Sequence, residues 1–145
     1  GSTAEGAQGI CPDGWHVPSD SEWITLERYI CEQEENGSCD STFAGTADDT
    51  GYRGTNEGTE LKATTNVNGD PDPTNGYDGY GFTARLAGYR LTFGSFYARG
   101  SGGFFWSSSI SGSEAWYRLV YSGNVGVNRN DLTQGYGFSV RCLQD

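Results

Sequence analysis

Apolar residues fall at helical spacing in one stretch of this chain. Trp23, Leu26 and Ile30, with Ile24 beside them, repeat every three or four residues, while Glu27 and Arg28 take the solvent side. That pattern predicts an amphipathic helix. Pro18 is followed by Ser19-Asp20-Ser21-Glu22, a capping-box arrangement in which Ser19 accepts from the first free amides and Glu22 reaches back. The helix is therefore expected to start at Ser19, run to about Gln33 and end at Asn36-Gly37. From Ser38 to Tyr80 the text turns to Gly, Thr, Asn and Asp, with Phe43, Tyr52, Leu61 and Val67 as isolated apolar points. Long irregular surface is expected there, with a short helix near Glu60 to Ala63. From Gly81 onward strand-like runs stand between glycines: Phe82 to Arg90, Phe104 to Ser108, Ala115 to Tyr121, Val125 to Asn130 and Phe138 to Cys142. Their spacing, roughly 8–12 residues, predicts an antiparallel sheet with hairpins, and Ser122-Gly123-Asn124 is the best turn because Gly and Asn tolerate positive φ. Helix first and sheet last gives an α+β domain with long loops and no internal repeat.

Composition narrows this picture. At 145 residues the chain makes one domain, able to bury roughly 68% of its unfolded surface. Its 23 glycines suggest disorder, but 4 Trp, 9 Tyr and 7 Phe supply core material that disordered segments lack. Residues 1–9 are small and polar and are read as a flexible lead-in, with the domain over 10–145. Gly1-Ser2 resembles a cloning scar, so a signal or anchor removed upstream is expected. Nineteen acidic residues against nine basic ones give a net charge of −10, which disfavours nucleic acid and anionic headgroups as partners. No apolar run approaches the ~20 residues that span a bilayer, so no direct membrane insertion is expected. The four cysteines allow three pairings and form no C-x-x-C pair, so disulfides are favoured over metal, and an oxidising compartment with them. Cys31 and Cys39 can staple the helix end to the loop after it, and Cys11 to Cys142 would close almost the whole chain. In the chain-entropy account these are worth about 2.5 and about 5 kcal/mol.

Several motifs in order carry a family resemblance: Cys11-Pro12-x-Gly14-Trp15-His16-x-Pro18-Ser19, Glu22-Trp23, Phe82-x-Ala84, Gly88-Tyr89-Arg90, Trp106-Ser107-Ser108, Ala115-Trp116-Tyr117-Arg118 and Gly137-Phe138-Ser139-Val140-Arg141-Cys142. Together they resemble the Fibrobacter-type major paralogous domain of secreted and surface bacterial proteins, over Ile10 to Asp145. Where that family has Leu-Pro-Gly-Gly-Tyr-Arg, this chain reads Arg85-Leu86-Ala87-Gly88-Tyr89-Arg90, without the proline. The ending Gly-Phe-x-x-Arg-Cys is also similar to the close of the formylglycine-generating-enzyme branch of the C-type lectin-like fold, which the variable proteins of diversity-generating retroelements share. That resemblance implies a C-terminal stretch, Phe104 to Tyr136 here, whose surface side chains are rewritten between copies on a rigid scaffold.

Catalytic chemistry is sparse. His16 is the only histidine and reads as a structural one rather than a general base. The carboxylates Glu32, Glu34, Glu35, Asp48 and Asp49 read as a solvated acidic face. The chain is not expected to be an enzyme, since a formylglycine-type oxidase would need two reactive thiols and fold likeness alone does not carry activity. No cofactor is expected. Ca²⁺ is kept as an alternative for Asn66-Val67-Asn68-Gly69-Asp70-Pro71-Asp72 with Asp78, although a turn cluster explains the same residues. Between Tyr97 and Tyr136 the Tyr/Ser/Gly/Asn vocabulary with Arg and Trp is that of binding surfaces. The motif positions Trp106, Tyr117, Phe138 and Val140 are read as core, and strand alternation then sends Trp116 and Arg118 to the opposite, binding face. The candidate ligand residues are Tyr97, Arg99, Phe104, Trp116, Arg118, Tyr121, Asn124, Asn128, Asn130 and Asp131. The expected function is a secreted or surface-borne module, on a bacterium or phage, that binds a protein or glycan as a monomeric domain. The alternatives are a structural adhesin module that contacts sister domains, and the oxidase.

Overall fold

The computed structural model describes residues 4–34, 37–66, 68 and 76–145. The predicted helix is present as α1 (Asp20–Gln33). Ser19 caps it through the expected box, its side chain accepting from the Glu22 amide while the Glu22 carboxylate accepts from the Ser19 amide. Trp23, Ile24 and Ile30 face inward as their spacing requires. Glu27 does not take the solvent side; it is fully buried, for a reason that lies in the sheet.

Two short helices follow, α2 (Cys39–Thr42) and α3 (Glu57–Leu61), the latter beginning a few residues before the expected position. The main sheet has four antiparallel strands in the order β2-β7-β6-β5, formed by β2 (Gly51–Arg53), β5 (Gly102–Ser111), β6 (Glu114–Tyr121) and β7 (Val127–Leu132). Two small ribbons accompany it: β1 (Trp15–His16) with β8 (Leu143–Gln144), and β3 (Tyr89–Arg90) with β4 (Phe96–Tyr97). The architecture is α+β. β5 and β6 extend the expected runs and β7 lies two residues further on than expected, whereas Phe82 to Arg90 and Phe138 to Cys142 form no long ladder. They run beside β5 or α3 and touch them through single bridges, Lys62 to Ala84, Gly88 to Gly103 and Phe105 to Ser139. β2 was not expected, since Gly-Tyr-Arg is too short to show an alternation.

The core lies between α1, α3 and the inner face of the sheet, built from Trp23, Ile30, Leu61, Ala84, Leu86, Phe105, Val120 and Val127. A smaller cluster of Ile24, Cys31, Cys39 and Phe43 includes the Cys31–Cys39 disulfide. Cys11 and Cys142 form the second disulfide beside the β1–β8 ribbon. The described part of the lead-in is docked rather than free of contacts: Val17 N donates to Ala7 O at 3.0 Å and Gly6 N to Ser108 Oγ at 2.9 Å.

His16 joins this terminal clamp. Its Nδ1 lies 2.6 Å from Asp145 Oδ1 and its Nε2 3.0 Å from Glu22 Oε1. The hydrogen bond to Asp145, then that to Glu22, raise its pKa above the ordinary value. A raised folded-state pKa stabilises fully below the unfolded value near 6.5, and the gain is lost as pH rises through the folded value. The melting temperature is thus expected to fall as pH rises above the ordinary histidine value, and His16→Gln is expected to flatten that slope; an unchanged slope in thermal melts would remove His16 from the clamp.

Candidate functional site: the outer face of the sheet

Strand alternation divides the sheet into two unlike faces. On β6, Arg118 and Val120 point inward, and on β7 so do Val127 and Arg129, all of them buried. Tyr117, Leu119 and Tyr121 on β6, and Asn128 and Asn130 on β7, take the other side. Cross-strand register aligns them in rows. Tyr52, Asn128, Leu119 and Phe104 are successive partners across β2, β7, β6 and β5, and Asn130, Tyr117 and Trp106 form a second row.

The inner face carries an ion network beneath α1. Arg118 donates to Asp20 Oδ1 at 2.7 Å and pairs with Glu27; Arg129 donates to Asp20 Oδ2 at 2.6 Å; Arg53 pairs with Glu27 and Asp49. Arg129 also donates to Thr46 O and Asp49 O, and its guanidinium lies 3.6 Å from the centre of the Trp116 ring. Three guanidiniums thus meet three carboxylates, which is the condition under which charges can be buried at all. Asp20 shows the balance: burial would raise its pKa, but the hydrogen bonds and charges of Arg129 and Arg118 hold it below its ordinary value.

This network corrects two expected site residues. Arg118 is 0% exposed and Trp116 is 7% exposed, so neither lies on an outward surface. The alternation was read in the right phase but with the faces exchanged. Trp106, Tyr117 and Phe138, expected in the core, are half-buried on the outer side, where Trp106 and Phe138 stack at 4.3 Å and Tyr117 meets Phe138 at 5.0 Å.

The remaining candidates are brought together in part. Tyr121, Asn128, Asn130 and Phe104 share the outer face, and Tyr97 extends it by stacking on Tyr89, which touches Phe104 at 4.7 Å. Asn124 sits in the β6–β7 loop, its Oδ1 accepting from Gly126 N at 2.9 Å. Asp131 is half-buried opposite Trp116 at the end of β7. Arg99 lies apart on the surface, donating to Asn68 Oδ1. Residues of this face that sequence reasoning missed are Tyr52, in a stretch without readable strand periodicity, Tyr89, inside a strand-like run that gives no sign of its face, and Tyr117, expected in the core.

Two features make this face rigid. The buried Lys62 ammonium donates to Asn124 O at 3.2 Å and to Tyr121 O at 3.5 Å, holding the β6–β7 loop from below. Gly58 lets α3 approach that loop, since a Cβ there would stand 2.2 Å from Gly126 O. Burial, then neighbouring Tyr52, Asp131 and Tyr89, pushes the Tyr117 hydroxyl pKa up, and burial with Tyr121 does the same for Tyr52. Both phenols therefore stay protonated near neutral pH and can donate as well as accept. Phenol rings and primary amides on a fixed sheet can stack on apolar ligand faces and hydrogen-bond at their edges.

Among the described residues no group of three or more His, Cys, Asp or Glu side chains is placed to hold an ion. The candidate Ca²⁺ stretch Asn66 to Asp72 lies mostly outside the described residues, and Asp78 is engaged with Thr83 Oγ1 at 2.8 Å. No described helix is long and apolar enough to cross a membrane. No curated protein and no solved structure matches the chain. A family profile does, over residues 1–144, and by that match across nearly the whole domain the chain belongs to the Fibrobacter succinogenes major domain family.

Proposed function

We propose that this domain is a non-enzymatic ligand-binding module of C-type lectin-like fold, exported and displayed on a bacterial or phage surface, that recognises a protein or glycan through the outer face of its sheet. The observation that carries the reading is the pair of cross-strand rows, Tyr52-Asn128-Leu119-Phe104 and Asn130-Tyr117-Trp106, set on a sheet whose other face is locked to α1. Ordering entropy is thereby met in folding rather than in binding. The two disulfides support an oxidising location. Most of the face falls between Phe104 and Tyr136, the stretch that would vary if the gene is diversified.

Alanine at Tyr121, which is 40% exposed, is expected to weaken a ligand found by glycan-array or surface-display screening by about tenfold or more. Its melting temperature should stay near that of the parent. Unchanged binding in Tyr121→Ala and Asn130→Ala together would move the site off this face. The reading of a structural module is separated by size-exclusion behaviour: a ligand-binding monomer stays monomeric, a sister-contacting module does not. The oxidase reading needs thiols, and all four cysteines are in disulfides, so thiol titration of native protein is expected to read zero.

A further inference from the structure

The nine basic residues of the chain are unevenly used. Arg53, Lys62, Arg118 and Arg129 are buried. Of the other five, Arg85, Arg90 and Arg99 fall within residues 79–113, a stretch that contains no Asp or Glu although the chain carries nineteen. In the middle of that stretch stands the β3–β4 hairpin, whose Phe93 and Phe96 are 76% and 77% exposed.

The hairpin is held firmly. Arg90 exchanges two backbone hydrogen bonds with Gly137, Leu91 N donates to Ser95 O at 2.8 Å and Gly94 N donates to Leu91 O at 2.9 Å. At its base Gly88 has φ +78°, and a Cβ there would stand 2.2 Å from Tyr97 O, so only glycine permits the approach. Tyr89 anchors one side to Phe104 and Phe138. On the register, Arg90 pairs with Phe96 and Tyr89 with Tyr97, one step further from the turn. An Arg90 guanidinium nitrogen lies 3.5 Å from where a Gly94 Cβ would be, so the charge rests beside the turn itself.

We infer that this hairpin docks on an anionic lipid bilayer, with Phe93 and Phe96 entering the interface and Arg90 and Arg99 meeting headgroup phosphates. The composition of the hairpin favours a bilayer over a protein pocket: Phe93 in the turn, Phe96 level with Arg90 as its cross-strand partner, and a half-exposed Tyr97 one step behind, a mix of aromatic rings and a cation that the membrane interface accepts. A protein partner would need a concave site cut to this tip, whereas a bilayer deforms around it. The net charge of −10 does not by itself decide against docking, because residues 79–113 carry three arginines and no carboxylate and screening at physiological salt shortens the reach of the other charges to about 8 Å. Docking here is peripheral, and the hairpin adjoins the ligand face proposed above through Tyr97 and Tyr89.

The test is flotation of the intact domain with large vesicles of phosphatidylcholine alone or mixed with phosphatidylglycerol. Binding to the mixed vesicles is expected to exceed that to the neutral ones and to fall as NaCl rises from about 0.05 to about 0.5 M. Phe93→Ser with Phe96→Ser should reduce partitioning by about tenfold or more, and Arg90→Gln and Arg99→Gln by about fivefold each. All four side chains are on the surface, so melting temperatures should be unchanged. A Phe93→Trp variant should show a blue-shifted emission on mixed vesicles only. Absence of binding at millimolar lipid, equal binding to both vesicle types, or full binding by the Phe93→Ser, Phe96→Ser variant would overturn the inference. Binding to polyglutamate but not to vesicles would also overturn it, in favour of an acidic polypeptide.

Discussion

Glu27→Ala is expected to leave the domain largely unfolded at ambient temperature. Glu27 is fully buried and accepts from both Arg118 and Arg53. Its removal leaves Arg118 with Asp20 alone and Arg53 with Asp49 alone, so the buried cluster carries an uncompensated positive charge, and breaking one side of a buried ion pair costs about 3–5 kcal/mol. Total stabilities of about 5–15 kcal/mol leave little beyond that. Urea denaturation of Glu27→Ala and of Glu27→Gln checks the mechanism: the glutamine keeps the shape and part of the hydrogen bonding, so it should lose less. A loss below about 1 kcal/mol in the alanine variant would show that the network contributes specificity without stability. Acid should act on the same network through Asp20, whose lowered pKa gives stability that is present above the ordinary carboxylate value and is lost as pH falls through the folded one.

Replacing Cys11 and Cys142 by serine should cost about as much by a different route. The bridge joins residues 131 apart, and the chain-entropy account assigns such a loop about 5 kcal/mol, against about 2.5 for the Cys31–Cys39 loop. The double serine variant is therefore expected to melt far lower than the Cys31→Ser, Cys39→Ser variant. Equal melting temperatures would mean that the β1–β8 ribbon and the His16 contacts already fix the termini in the reduced protein.

The helix was legible almost residue by residue because its signals are local: a serine, a glutamate three residues on, and apolar spacing. The strands β5, β6 and β7 were legible as alternation, yet their polarity was misassigned. A lone strand shows which side chains lie on the same face, but not which face meets the core. Reading Trp106 and Tyr117 as core sends Arg118 to the surface by alternation, and only the placement of Asp20 and Glu27 on the buried side of α1 reverses that. Those partners are more than 90 residues away along the chain. Glu27 was misread for the same reason, as the solvent side of an amphipathic helix. β2 and the hairpin tip were invisible because two- and three-residue strands are fixed by their neighbours rather than by their own period.

The alternation along β6 and β7 has a consequence for how the sequence can change. Arg118, Val120, Val127 and Arg129 answer to the interior, and Leu119, Tyr121, Asn128 and Asn130 answer to whatever lies outside. Neighbouring codons are therefore under unlike pressures, and mutational tolerance in a saturation library should rise and fall with the parity of the position. A lineage of this domain can drift at every second codon of these strands without first having to repair its foundations.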